Sequence, residues 1–118
     1  MNVRYYISDK LRQIDETIEN EKAYFEDVEG LAIRYAHQGA KISRQRWTEI
    51  TNLGITTDHK VEALRLIKDV LYNHFVVANS DKNKDFFKGK IRTEVLPELE
   101  QKENYEGCII VLQFIQDF

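Results

Sequence analysis

The chain has 118 residues, 42% of them hydrophobic and 31% charged, with a formal net charge of −3. That size and mixture suit one globular domain able to bury its own core. They exclude a disordered tail and give no electrostatic pull toward nucleic acid or any other charged partner. Five glycines and one proline are few, which favours long helices over a turn-rich sheet fold. The one cysteine, Cys108, excludes an intrachain disulfide and points to a reducing compartment, hence to a cytoplasmic protein. The opening Met1-Asn2-Val3-Arg4-Tyr5-Tyr6 carries no charged-then-apolar leader pattern. No apolar run approaches the ~20 residues that span a bilayer, so no membrane partner is expected.

Ile7, Leu11, Ile14 and Ile18 step by four, three and four, and Phe25 and Val28 keep the frame. The stripe predicts a long helix over about 3–29, ending at Gly30. Packed inside a bundle it is ordinary core; as a heptad seam it would join two copies in a homodimer through this first helix. A second helix is expected over about 31–53, where Ala32, Ala36, Gly39, Ala40 and Ser43 are small and Gly39 invites a kink or break. Leu53-Gly54-Ile55 reads as a glycine stop, after which Thr57 or Asp58 caps a third helix over about 58–79. Apolar residues from Val61 to Val77 occupy most of that helix's circumference, which makes it the expected centre of the fold.

Asn79-Ser80-Asp81 reads as the next break, followed by a helix over about 82–102 with Phe86, Phe87, Ile91, Val95 and Leu99 inward. Pro97 must kink it or start a new segment, since proline removes a donor and clashes with the preceding turn. The last element spans about 105–117. Its run Ile109-Ile110-Val111-Leu112 suits a buried strand, but Tyr105, Ile109, Leu112 and Ile115 share a helical face, and helix is preferred. The fold expected for the whole of residues 1–118 is therefore a single all-α domain, a bundle of four to five helices around residues 61–77. The alternative is α+β, with a short strand pair near 74–78 and 108–115.

Charge is segregated. Residues 8–30 hold eight acids against three bases, whereas Arg34, Lys41, Arg44 and Arg46 lie between Gly30 and Glu49 with no acid among them. Lys82, Lys84, Lys88, Lys90 and Arg92 surround a lone Asp85, and five acids follow from Glu94 to Glu106. Such a bipolar surface can meet an acidic partner through its basic part.

Little in the chain is suited to catalysis. His37, His59 and His74 form no metal-ligand pair, and no phosphate loop or nucleophile motif is present. Asp58, His59 and Glu62 fall within one helical turn, where acids at a helix start serve capping better than metal binding. No catalytic residue, cofactor or metal is expected. All-helical ribonucleases of the HEPN type carry Arg, four to six residues, then His. Arg34 and His37 are too close for that pattern and Arg65 and His74 too far apart.

Trp47-Thr48-Glu49-Ile50-Thr51-Asn52-Leu53-Gly54-Ile55-Thr56-Thr57-Asp58-His59-Lys60-Val61 resembles a helix-turn-helix, with Leu53-Gly54-Ile55-Thr56 as its turn. The resemblance implies DNA binding, with Lys41, Arg44 and Arg46 suited to phosphates. Ile50 stands where that motif has a small residue, and Lys60 where it has an apolar one. Val95-Leu96-Pro97-Glu98-Leu99 through Tyr105-Glu106-Gly107-Cys108 is similar to the UVR-type helical hairpin, which implies protein–protein contact.

A protein-binding module accounts best for this inventory. Arg34, Lys41, Arg44, Arg46, Trp47, Tyr5, Tyr6 and Tyr24 are the expected contact residues, because they are cations and aromatics outside the main apolar stripes. An immunity protein, an antitoxin, a phage-encoded inhibitor or an adaptor would fit. A DNA-binding regulator is the first alternative and a small helical enzyme the second.

Overall fold

A single helix, α1, runs from Val3 to His37. At 1.5 Å per residue it is about 52 Å long, nearly the full length of the molecule. The computed structural model describes residues 3–118. Met1 and Asn2, the start of the stretch read above for a leader, lie outside the described residues. α1 does not stop at Gly30. It ends at His37, and the chain turns at Gly39, whose φ of +88° is left-handed backbone that a β-carbon disfavours. There the amides of Gly39 and Ala40 close back onto the carbonyls of Ala36 and Tyr35 at 3.1 and 3.0 Å.

α2 spans Arg44–Leu71. Ser43 caps it, its hydroxyl accepting from the Arg46 amide at 3.0 Å. The expected stop at Leu53-Gly54-Ile55 is absent: α2 passes through it unbroken, and Thr57, expected as a cap, is a buried mid-helix residue. The expected second and third helices are thus divided differently, at 38–43 rather than at 30 and 54. α2 continues into a π-helical turn, Tyr72–Val77, which ends at Asn79 with φ of 48°.

α3 (Lys84–Glu94) begins at Asn83, whose side chain accepts from the Phe86 amide at 3.0 Å. Val95 then joins α3 to α4 (Leu96–Gln101), with Pro97 in the first turn of α4, where its missing amide is tolerated. α5 (Tyr105–Asp117) is fully helical. Eighty-five per cent of the described residues are helical, and among them there is no strand. The α+β alternative fails because 74–77 is π-helical and 108–115 lies within α5.

The core gathers at one end. Ile7, Ile14 and Ile18 of α1 pack with Val61–Phe75 of α2 and its π turn, with Phe87, Ile91, Val95 and Leu99, and with Val111 and Ile115. Ile7, Leu11, Ile14 and Ile18 of the α1 stripe are spent on this core, the bundle packing weighed above, while Phe25 and Val28 lie beyond it. On α5 the helix was expected but the face differs: Gly107, Val111 and Ile115 are buried, whereas Tyr105, Ile109 and Leu112 point to solvent. No helix of the described residues is long and apolar enough to cross a membrane.

The other ends of α1 and α2 leave this core as an antiparallel two-helix arm. The Cα radius of gyration is 17.6 Å and the extents are 58 × 28 × 22 Å, against the roughly 13–14 Å radius of a compact chain this long. Between residues 26 and 56 only Ala32 and Ile50 are buried.

Candidate functional site

The free end of the arm collects residues that no packing requires. Arg34 is exposed near the end of α1, Lys41 lies in the 38–43 connection, and Arg44 and Arg46 open α2 with Trp47 beside them. Local helix endings place them there, because Gly39 reverses the chain and Ser43 restarts it five residues before Thr48. Arg46 pairs with Glu49 at 3.2 Å. Arg34, Lys41 and Arg44 make no ion pair among the described residues, so three cations stand unneutralised at the tip. A groove of about 160 Å³ runs between the helices here, lined by Val28, Leu31, Ala32, Tyr35, Ile42 and Arg46.

The other expected contact residues are elsewhere. Tyr24 lies further down the arm, lining a second groove with Leu53 and Lys60. Tyr5 is exposed at the opposite end of α1. Tyr6 is not a free anchor: its hydroxyl donates to the Phe118 backbone oxygen at 2.6 Å, its ring meets Phe118 edge-on at 5.2 Å, and Lys84 sits over it at 3.8 Å. It fastens α5 to α1. Leu31, Ile33 and Tyr35 are exposed on the arm and were not singled out by sequence. Their signal was the step of four, three and four through Tyr24, Val28, Leu31 and Tyr35, hidden because the helix was expected to end at Gly30.

The histidines occupy three separate places. His37 is exposed at the arm's tip. His59 lies 3.9 Å from Glu106, and its backbone carbonyl accepts from Asn104 at 3.0 Å. His74 holds Glu94 at 2.5 Å and meets Phe86 edge-on. Asp58, His59 and Glu62 do not converge: Glu62 is engaged by Asn104 and Lys102, and among the described residues no cluster is arranged to hold a metal ion. Cys108 is half-buried on α5, where burial first and the neighbouring Glu100 second push its thiol up, away from the reactive thiolate.

A helix-turn-helix needs a turn between its two helices. The segment that resembles one is a single straight stretch of α2 here, so the geometry behind that resemblance is missing. No protein-family model matches the chain, and no curated protein or solved structure matches it either.

Proposed function

We propose that this chain is a non-enzymatic protein-binding module that regulates a partner protein through the end of its helical arm. What supports this is one observation: Trp47 and the cations Lys41 and Arg44, which make no ion pair among the described residues, stand on a projection whose length the core does not need. Projecting two helices beyond a core orders some thirty residues with little burial in return, which selection retains more readily for an exposed function than for stability. Tryptophan and arginine are the side chains that anchor interfaces most strongly, and a basic surface favours an acidic counterpart. The cations cluster around a tip rather than along a stripe, which suits mixed protein contacts better than a phosphate-tracking surface.

The test is recovery of bound material from host extract by the tagged chain and by a Lys41→Ala/Arg44→Ala/Trp47→Ala variant. A protein recovered in near-equal amount by the parent and lost with the variant is expected. Equal recovery by both, or nucleic acid as the retained species, would overturn it.

A further inference from the structure

We infer that two copies of this chain pair arm to arm, antiparallel, through the Tyr24–Val28–Leu31–Tyr35 seam of α1. The four residues follow the spacing of a coiled-coil seam, and none of them belongs to the core cluster, although Val28 also continues the frame of the core stripe. Tyr24, Leu31 and Tyr35 are 60, 44 and 49% exposed. On an ideal helix their mean direction is about 80–90° from the α1 side that meets α2, with Val28 nearest to it. The seam borders both grooves between α1 and α2, so Leu53 and Ile42 of α2 flank it. Two arms joined there make a four-helix bundle out of what is otherwise a two-helix projection.

Charge selects the occupant and its direction. On α1, residues 15–29 hold seven acids and one base, and residues 30–37 hold Arg34 and no acid. A parallel pair would set like charge beside like. An antiparallel pair, with its twofold axis between Val28 and Leu31, sets the acidic stretch of each α1 beside the acid-free end of the other copy's α1, which carries Arg34. In that register Tyr24 faces Tyr35 and Val28 faces Leu31.

Asp27 and Arg34 sit seven residues apart on the same flank of the seam, on the side away from α2. Antiparallel helices bring such equivalent flanks together, so Asp27 of each copy meets Arg34 of the other, twice by symmetry. Both are exposed, and neither has an ion pair within its own chain among the described residues. A surface that complements itself in both shape and sign fits a second copy of this chain. Lys41, Arg44 and Trp47 take no part in the seam, so the pairing stands apart from the tip's role.

Sedimentation equilibrium of the full chain tests this directly. The parent is expected at about twice the 14.0 kDa chain mass, and Leu31→Asp at one chain mass with an unchanged circular dichroism spectrum. Arg34→Asp is expected to weaken the dimer about tenfold, and Arg34→Asp/Asp27→Arg to restore it, because the swapped charges still face each other. A parent that stays monomeric at about 100 µM, well above the dissociation constant of a specific dimer, would overturn the pairing. So would a dimer indifferent to Leu31→Asp, or a charge swap that fails to restore it.

Discussion

The ring of Phe25 lies across the backbone of Gly54, with its tip 2.9 Å from where a β-carbon at that position would stand. This contact sets how closely α1 approaches α2 at the root of the arm. Gly54 is therefore a packing glycine inside a helix rather than a stop at the end of one. Replacing glycine by alanine in a helix ordinarily gains up to ~1 kcal/mol. At Gly54 the added methyl must displace a packed ring, and overpacking costs about 1–3 kcal/mol. Gly30 has nothing within 4 Å of a built β-carbon. Gly30→Ala is therefore expected to raise stability by ~0.5–1 kcal/mol and Gly54→Ala to lower it by about 1 kcal/mol. Urea midpoints of the two variants check this; shifts of the same sign would contradict it.

Asn104 ties the start of α5 to the middle of α2. Its oxygen accepts from the Gly107 amide at 2.8 Å, and its amide nitrogen donates to the His59 carbonyl at 3.0 Å and to Glu62 at 3.2 Å. The side chain is buried, and among the described residues no buried polar side-chain atom lacks a partner. Asn104→Ala removes both the cap and the link to α2, for an expected loss of about 2–3 kcal/mol. Asn104→Ser keeps a capping oxygen without the donor and is expected to recover about 1 kcal/mol of that. Denaturant midpoints should follow the order Asn, Ser, Ala; equal values for Ser and Ala would remove the capping role.

Cys108 makes stability sensitive to alkaline pH. Burial and Glu100 raise its thiol above the ordinary 9.0, so the folded chain holds this proton more tightly than the unfolded one. The contribution is complete below the unfolded value and is lost as pH rises through the folded value. The stability difference between the parent and Cys108→Ala is therefore expected to favour the parent less at about pH 10 than at about pH 7. A difference that does not change between the two would contradict the assignment.

Composition and apolar spacing were enough to foresee an all-α bundle, because low glycine and proline content and 3.6-residue periodicity act along the whole chain. The core from Val61 to Phe75, the break at Asn79 and the interruption at Pro97 were legible for the same local reasons, whereas Val76 and Val77, expected within that core, are exposed. What escaped was decided by neighbours. Gly30, Gly39 and Gly54 look alike in sequence, yet only Gly39 takes the left-handed backbone, while Gly54 is held within α2 under Phe25. On α5 the periodicity gave the helix but not its inward face. Tyr105, Ile109 and Leu112 fit the spacing as well as Val111 and Ile115 do, and tertiary ties, Asn104 to His59 at one end and Tyr6 to Phe118 at the other, accompany the face that turns inward. The basic residues of the arm were visible as an acid-free segment. That they cluster at a tip depends on a reversal at 38–43 that the expected helix over 31–53 concealed.

The measurement that bears most directly on the binding role is the association rate of the recovered partner with the chain across a salt series. Steering by the tip cations raises association at low salt and fades as salt screens them. The parent's rate is expected to fall steeply with salt. The rate of Lys41→Ala/Arg44→Ala/Trp47→Ala is expected to be about tenfold lower at low salt and nearly flat thereafter. Equal rates and equal salt dependence for the two chains would contradict that role.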